Sequence, residues 1–350
     1  MVAAMLREIE WQATYLEGEP LETIYFGGGT PSLLDQRDLD LFFDKIFKHF
    51  TLATPDNQTP ISNIEITLEA NPDDLTIQKI NELRQTPVNR LSIGIQSFSD
   101  EDLKFMNRAH SAGEALACIQ NAQSAGFENL TVDLIYGAPT TSDTQWAANL
   151  QQVFDLKIPH LSCYCLTVEE KTALAHFVKT GKSRPVDEEQ AAHQFEFLIK
   201  QTEAEGYEHY EISNFAMPGW HSRHNSSYWQ GKKYLGIGPS AHSFDGQSRQ
   251  WNAANNAQYL RFLTDGKIPF EKEILTPVQR YNEYVMTNLR TIWGCDLKKI
   301  RALGFESHFL TNAEPFVLGK IIEQDSDIFR LTRKGKFLAD GVASDLFADE

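Results

Sequence analysis

The stretch Ile24-Tyr25-Phe26-Gly27-Gly28-Gly29-Thr30-Pro31 decides the fold. Its β-branched and aromatic start predicts a strand, and the three glycines that follow predict a loop with almost no side-chain bulk. Backbone groups of such a loop can approach a ligand closely, and Pro31 ends the strand ladder and stiffens the exit. We therefore expect a small polar ligand to lie against this loop.

Helix-like and strand-like periods alternate from the amino end to about residue 168. The pattern predicts strands at 23–26, 64–68, 90–95, 130–136 and 160–167. It predicts helices at 1–16, 39–50, 76–84, 101–106, 112–125 and 144–154. Strands separated by helices in this way form a parallel sheet with right-handed crossovers. The fold class is therefore α/β, a partial parallel (β/α) barrel followed by a smaller carboxyl-terminal α+β and helical domain.

Polar or glycine residues end each predicted strand. Ligands bind at the carboxyl ends of the strands in parallel barrels and in open α/β sheets. We therefore expect Glu69, Gln96 and Asp133 to meet the glycine loop at one rim, together with Gly137. Taken singly, a triple glycine is also typical of a turn. Glu69 or Asp133, taken singly, could equally be a helix cap or a surface charge.

The sequence changes in character after about residue 170. We expect a helix at 187–204, one strand at 207–215 and an irregular functional segment at 219–246. Further on we expect helices at 279–292 and 297–303, and a short hairpin at 329–337 before a final helix, as in a winged-helix-like bundle. The predicted domains are 1–170 for the partial barrel, 171–270 for a connecting and substrate-binding region, and 271–350 for the winged-helix-like part.

Composition excludes several classes of protein. The formal net charge of −16 over 350 residues argues against a general nucleic-acid binder, because phosphate neutralisation needs clustered Lys and Arg. No apolar run is long enough to span a bilayer, and the first residues follow a helical pattern rather than that of a signal peptide. A cytoplasmic location is the resulting expectation.

The four cysteines are Cys118, Cys163, Cys165 and Cys295, and their scattering does not suggest a disulfide framework. Cys163 and Cys165 would point to the same face of a strand. We interpret them as two small core residues, with a metal or redox pair as the alternative.

Five motifs occur in order along the chain: 25–31 (YFGGGTP), 68–72 (LEANP), 90–98 (RLSIGIQSF), 107–110 (NRAH) and 133–137 (DLIYG). Together they closely resemble the radical S-adenosylmethionine (SAM) proteins related to oxygen-independent coproporphyrinogen III oxidase. The later run 223–229 (RHNSSYW) resembles the haem chaperone branch (HemW) more than the oxidase itself. The resemblance covers essentially the whole chain.

This resemblance implies a cofactor site for SAM. The loop would hold the methionine ammonium, and Arg108 would pair with the methionine carboxylate, for which a guanidinium is well matched. Gln96 and Asp133 would bond the ribose hydroxyls, Glu69 would contact the amine or ribose, and backbone near Ile135 would flank the adenine. The cofactor-binding residues implied are Gly27, Gly28, Gly29, Thr30, Glu69, Gln96, Arg108, Asp133 and Ile135.

The family also holds a [4Fe-4S] cluster through a Cys-x-x-x-Cys-x-x-Cys loop after its first strand. Nothing in this chain precedes the first helix, and its cysteines lack that spacing, so we expect no metal ligands here. As written, the chain is expected neither to assemble the cluster nor to cleave SAM reductively, and to lack one barrel strand. Two explanations of the missing cysteine segment are open. We favour the one in which this sequence starts at an internal methionine, because the cofactor-facing residues are intact. A truncated natural form is the alternative.

The resemblance further implies haem binding by His224, Asn225, Tyr228 and Trp229. Neutral imidazole is a good axial ligand for haem iron, and aromatic faces stack on porphyrins. The structural alternative is that these side chains only pack between two domains. The implied function is haem insertion into acceptor proteins. The enzyme coproporphyrinogen III oxidase and a catalytically silent binding protein are the alternatives, and an unpaired barrel edge makes a homodimer an expectation.

Overall fold

The computed structural model describes residues 1–53, 64–268 and 270–349. The chain divides into two compact units. The sheet unit comprises Ile24–Gln36 and Glu65–Ser222. The mixed unit comprises Met1–Thr23, Arg37–Ile64 and Arg223–Glu350. The boundaries of the three domains expected from the sequence stay predictions.

A seven-stranded sheet forms a half-barrel, in the order β1-β2-β3-β4-β5-β7-β6. Its strands are β1 (Thr23–Phe26), β2 (Glu65–Ala70), β3 (Arg90–Gln96), β4 (Asn129–Tyr136), β5 (His160–Cys165), β6 (Glu208–Glu211) and β7 (Asn214–Ala216). Strands β2 to β5 pair in parallel, and β7 pairs antiparallel with both β5 and β6. The predicted α/β partial barrel is confirmed, with all five of its predicted strands in place.

Helices follow the strands as the alternating pattern predicts. The helices numbered from the amino end are α1 (Val2–Trp11), α2 (Gln36–His49), α3 (Ile77–Leu83), α4 (Asp100–Phe105), α5 (Ala112–Ser124), α6 (Asp143–Asp155), α7 (Ala173–Lys179) and α8 (Glu188–Ala204). Helix α5 begins with a capping box, in which Ser111 and Glu114 bond each other's backbone amides. Such caps fix where each helix starts and so set the lengths of the loops at the sheet rim.

The sheet has one apolar and one polar face, because side chains alternate along each strand. Leu91, Ile93, Leu130 and Val132 have no exposed surface. The residues between them are polar, and the strand register sets Glu69 beside Ser92 and Asp133 beside Ser162. Polar side chains from neighbouring strands therefore line up across one face of the half-barrel.

Near the amino ends of the strands, this polar face is closed by its own hydrogen bonds. Arg90 is 2% exposed; its guanidinium lies 3.5 Å from the Glu65 carboxylate and donates to Asn129 at 2.9 Å. His160 and the Tyr210 hydroxyl are hydrogen-bonded at 2.6 Å. Because a buried charge must be paired, these contacts fix the strand register at the bottom of the sheet.

The mixed unit contains a second sheet and the helices around it. Its elements up to residue 274 are α9 (Arg223–Trp229), β8 (His242–Phe244), β9 (Ser248–Asn252), α10 (Asn256–Thr264) and β10 (Phe270–Ile274). Glu8 of α1 has no exposed surface and accepts hydrogen bonds from Asn252, Tyr259 and the Gly238 amide. Burial raises the pKa of Glu8, while these three bonds oppose the rise. The Glu8 carboxyl therefore joins α1 to β9 and α10 by hydrogen bonds.

The last part of the mixed unit carries a third sheet. Its elements are α11 (Pro277–Leu289), β11 (Cys295–Asp296), α12 (Leu297–Leu303), α13 (Glu306–Leu318), β12 (Ile322–Asp325), β13 (Ile328–Leu331), α14 (Arg333–Lys336) and α15 (Ala339–Asp345). The sheet order is β11-β13-β12, with antiparallel pairing. Among the described residues, no helix is both long and apolar enough to cross a membrane.

Three predictions of local structure were wrong. The expected strand at 207–215 is the hairpin of β6 and β7, because the Glu211 carboxylate accepts from the Ser213 amide and the Asn214 side chain and turns the chain. The irregular segment at 219–246 contains α9 and β8. The first helix ends at Trp11 rather than at residue 16, and turns follow it.

The predicted hairpin at 329–337 was also misplaced. The hairpin is β12 with β13, and Thr332 then caps α14 by accepting from the Gly335 amide. Of the two cysteines predicted to lie in the core, Cys163 is 1% exposed but Cys165 is exposed. Cys165 is the last residue of β5, where the strand reaches the rim of the sheet.

Candidate functional site

A polar cleft opens at the carboxyl ends of β1 to β4. Its lining residues are Gly29, Thr30, Pro31, Glu69, Ala70, Asn71, Ser92, Gly94, Gln96, Arg108 and Asp133. All of them belong to the sheet unit. The cavity volume is about 230 Å³, somewhat below the roughly 300 Å³ at which small-molecule pockets begin. A nucleoside-sized ligand would therefore fill it and protrude.

The glycine loop is fastened to the neighbouring strand through Glu69. One carboxylate oxygen of Glu69 accepts from the Tyr25 hydroxyl at 2.6 Å, and the other accepts from the Gly28 amide at 3.0 Å. Gly28 and Gly29 have φ values of 75° and 67°, a region that favours glycine. At Gly27, a Cβ atom would lie 2.4 Å from the Tyr25 ring. Burial and the adjoining Glu69 carboxylate raise the pKa of Tyr25, so its hydroxyl keeps its proton and donates.

Arg108 reaches the cleft from the segment after α4. Its Nη2 donates to the Asn71 side chain at 2.8 Å and to the Gly94 carbonyl at 3.1 Å. Arg108 is a lining residue of the cleft, and both of these hydrogen bonds are made by the same guanidinium nitrogen. The two bonds hold a positive charge at a fixed point of a polar cavity.

The end of β3 is bent where it lines the cleft. The register with β4 shifts between Ile93 and Gln96, and Gln96 has a φ of 66°, which is uncommon for a residue other than glycine. Strained backbone conformations of this kind cluster at ligand-binding and active sites, although turns also adopt them. The bend carries the Gln96 side chain into the lining of the cleft.

Asp133 gives the cleft a carboxyl group that titrates near neutrality. The pKa of Asp133 is raised to about 7, mainly by burial and to a smaller extent by the nearby Glu69 carboxylate. A hydrogen bond from Ser162 and the charges of Arg90 and Arg108 act in the opposite direction without cancelling the effect of burial. A carboxyl with such a pKa inside a cleft is typical of a binding or catalytic site.

The structure brings most of the predicted cofactor residues together. Gly29, Thr30, Glu69, Gln96, Arg108 and Asp133 line the cleft. Gly27 and Gly28 lie in the same loop, with Gly28 bonded to Glu69. Ile135 lies two positions beyond Asp133 on β4 and pairs with Tyr164; the lining formed by the described residues does not include it.

Several residues of the lining were not predicted from the sequence. Asn71, Ser92 and Gly94 stand in the recognised motifs but had no predicted role, and Pro31 and Ala70 flank predicted ligands. The alternation of strand residues was the available signal: Ser92 and Gly94 share a strand face with Gln96, and Asn71 continues the face of Glu69.

A second group of polar and aromatic side chains surrounds α9 in the mixed unit. His224 Nδ1 lies 2.9 Å from the Thr23 hydroxyl, and His224 Nε2 lies 3.1 Å from the Tyr228 hydroxyl. Tyr228 packs edge-on against His224 and, at 4.6 Å between ring centres, against Tyr234. His224 is half-buried and Tyr228 is 42% exposed, so the imidazole lies close to solvent beside the Tyr228 ring.

The other predicted members of this group lie on the same short helix. Asn225 and Trp229 are half-buried on α9. The basic residues nearby are engaged with carboxylates: Lys232 lies 2.6 Å from Glu22, and Lys233 lies within 2.8 Å of Glu17 and 2.7 Å of Glu19. The ammonium groups therefore neutralise local acidic charge.

The cysteines do not form a cluster site. No cysteine is among the lining residues of the cleft. Cys118, Cys163 and Cys295 are buried, which raises the pKa of each thiol and keeps it protonated. Over residues 1–53, 64–268 and 270–349, no three His, Cys, Asp or Glu side chains are grouped so that they could hold a metal ion.

Several known proteins are similar in sequence to this chain. Residues 5–153 match the Radical SAM superfamily. The chain is 33% identical over 344 residues to the protein named heme chaperone HemW of Mycobacterium tuberculosis, covering 98% of this chain and 85% of that protein. It is 32% identical over 334 residues to HemW of Bacillus subtilis, covering 93% and 85% of the two chains.

A solved structure has the same fold over nearly the whole chain. The coproporphyrinogen III oxidase HemN from Escherichia coli superposes with a TM-score of 0.81 at 21% sequence identity, covering 99% of this chain and 82% of that one. At this identity the likeness shows the fold alone. Because the similarity to HemW proteins extends over most of both sequences, the chain belongs to the HemW family of the radical SAM superfamily.

Proposed function

We propose that this protein is a haem chaperone that binds haem and SAM and passes the haem to acceptor proteins. The observation that carries the proposal is the pairing of α9, which presents a hydrogen-bonded imidazole close to solvent, with similarity to HemW proteins along 98% of the chain. The acceptor, a protein that takes up haem, is part of the same proposal.

The cleft residues fit SAM. Radical SAM membership implies SAM and a [4Fe-4S] cluster. The Arg108 guanidinium suits a carboxylate, the glycine loop offers backbone groups to an ammonium, and the Asp133 carboxyl suits ribose hydroxyls. Bound SAM supplies an activated sulfonium centre for radical chemistry, and these residues would hold and orient it.

The residues of this chain do not fit the cluster. Its thiols are three buried cysteines and Cys165 at the end of β5, and none lines the cleft. Cluster binding needs thiolates that converge on one point. We therefore assign no step of the function to a cluster held by these residues.

The residues around α9 fit haem in part. His224 provides an imidazole, and Tyr228 and Tyr234 provide aromatic faces beside it. Asn225 and Trp229 on the same helix complete the proposed haem group. Lys232 and Lys233 fit less well as partners for haem propionates, since each would first have to leave its glutamate.

Oxidation of coproporphyrinogen is the alternative that the HemN-like fold suggests, and no observation of its own favours it here. A catalytically silent binding protein differs from the proposal only in lacking haem transfer. The expected homodimer stays a prediction, which sedimentation can check.

Haem titration tests the proposal. We expect one ferric haem per chain, a Soret band distinct from that of free haem, and transfer to an apo haem b protein faster than from serum albumin. His224→Ala should weaken the band, whereas His242→Ala, which removes an exposed histidine of the same unit, should not. Absence of saturable haem binding by the unaltered chain would refute the chaperone assignment.

A further inference from the structure

Two hydroxyl groups bracket the imidazole of His224. Thr23, the first residue of β1, lies 2.9 Å from Nδ1, and Tyr228, one helical turn along α9, lies 3.1 Å from Nε2. All three residues belong to the mixed unit. A neutral imidazole has one N–H and one lone pair, so one of these hydroxyls must accept while the other donates.

The chemistry of the two hydroxyls decides the direction. A phenol is a stronger hydrogen-bond donor and a weaker acceptor than an aliphatic alcohol, because its oxygen shares electron density with the ring. Tyr228 therefore donates to Nε2, and the Nδ1–H of His224 donates to Thr23. This tautomer leaves the lone pair on Nε2.

The two hydroxyls also differ in how firmly they are held. Thr23 is the first residue of the extended strand β1, and its side chain is half-buried. Tyr228 lies on a seven-residue helix and is 42% exposed. The Thr23 contact is thus a fixed support, and the Tyr228 contact can open by rotation of an exposed side chain.

We propose that Thr23 is a positioning residue for haem ligation by His224, and that the Tyr228 hydroxyl is a displaceable cover on the Nε2 atom that binds the iron. This inference rests on the proposed haem-binding function and extends it. Histidines that bind metals usually donate their other ring N–H to an oxygen acceptor, which fixes the ring and raises its basicity. In this chain the Thr23 hydroxyl is that oxygen acceptor, and it accepts from the Nδ1–H of His224.

The proposal predicts opposite effects from the loss of each hydroxyl. Thr23→Val keeps the shape and β-branching of the side chain but removes the acceptor. We expect ferric haem to bind about ten-fold more weakly, with a change in the electron paramagnetic resonance signal of the bound ferric haem. Thr23→Ser restores the hydroxyl and should restore both. Tyr228→Phe removes the competing bond to Nε2, and should strengthen haem binding a few-fold.

These opposite signs separate positioning from a general loss of structure, which would weaken binding in both variants alike. Thermal melting of each variant establishes that it is folded. Equal weakening in Thr23→Val and Tyr228→Phe, or no rescue by Thr23→Ser, would overturn the inference while leaving haem binding in place. An unaltered histidine signal in His224→Ala would also overturn it. A chain that binds no haem at all would instead overturn the proposed function, and this inference with it.

Discussion

The Tyr25 hydroxyl donates a 2.6 Å hydrogen bond to the Glu69 carboxylate, and this bond joins the strand before the glycine loop to the next strand of the sheet. The second oxygen of Glu69 accepts from the Gly28 amide at 3.0 Å. One carboxylate thus fixes both the start and the middle of a loop that has little side-chain packing of its own. Loop order at the cleft therefore depends on this pair of residues.

Tyr25→Phe should loosen the loop without removing any ring packing. We expect the free energy of unfolding to fall by about 1.5–3 kcal/mol, as for a hydrogen bond to a charged group. SAM affinity should fall by about five-fold, because the ligand must then order the loop itself. Isothermal titration calorimetry and urea denaturation measure the two effects.

Tyr281→Phe is the matched control for this variant. Tyr281 is fully buried in the mixed unit and donates to the Leu346 carbonyl at 2.8 Å. Its loss should lower stability by about 1 kcal/mol and leave SAM affinity unchanged. If both variants reduce SAM affinity equally, the effect of Tyr25→Phe comes from general destabilisation and not from the loop.

Arg108→Lys should weaken SAM binding by about ten-fold or more. The lysine keeps the positive charge but loses the planar fork that binds Asn71, Gly94 and a carboxylate at the same time. Arg84→Lys is the control, since Arg84 is exposed and stacks on Phe127 at 5.0 Å in the same unit. Equal SAM affinity in Arg108→Lys and the unaltered chain would contradict a role for the guanidinium in carboxylate binding.

Asp133 should make stability depend on pH. In the folded chain its pKa is about 7 because of burial, whereas an aspartate in an unfolded chain ionises near pH 4. The folded state therefore binds more protons between about pH 4 and 7, and the free energy of unfolding falls as pH rises through this interval. Asp133→Asn cannot titrate and should lack this part of the decline.

Urea denaturation at pH 5 and pH 8 measures the effect of Asp133. The stability of the unaltered chain relative to Asp133→Asn should be lower at pH 8 than at pH 5. Asp155→Asn, at the exposed end of α6, controls for the loss of one negative charge. The same relative stability at both pH values would show that the Asp133 carboxyl does not titrate in this interval.

The parallel sheet and its rim could be predicted from the sequence because their signals are local. The strand before Gly27 predicts the start of the sheet, and the polar residues after each later strand predict its functional edge. Glu69, Gln96 and Asp133 then converge on the cleft for a reason that any parallel sheet provides: the carboxyl ends of its strands lie side by side.

The features that escaped prediction depend on contacts between distant residues or on single backbone bonds. The contact of Thr23 with His224 joins residues 201 positions apart, and no pattern in either segment indicates it. The β6–β7 hairpin turns at a side-chain bond from Asn214 to Glu211, inside a run that alternates like one strand. Pro315 stands inside α13, where a proline normally argues against a helix.

Gly94→Ala should impair the cleft while leaving the fold intact. A Cβ atom at this position would lie 2.9 Å from the Gln96 side-chain nitrogen, so the Gln96 side chain must move from its place in the lining, and the Cβ atom would contact Arg108 Nη2 at 3.4 Å. We expect SAM affinity to fall by about ten-fold and the free energy of unfolding to change by less than about 1 kcal/mol.

Gly113→Ala is the matched control, because its Cβ atom would meet nothing closer than the Ser111 hydroxyl at 3.9 Å in α5. That variant should gain about 0.5–1 kcal/mol of stability from helix propensity and keep its SAM affinity. Unchanged affinity in Gly94→Ala would mean that SAM does not use the position of Gln96 in this cleft.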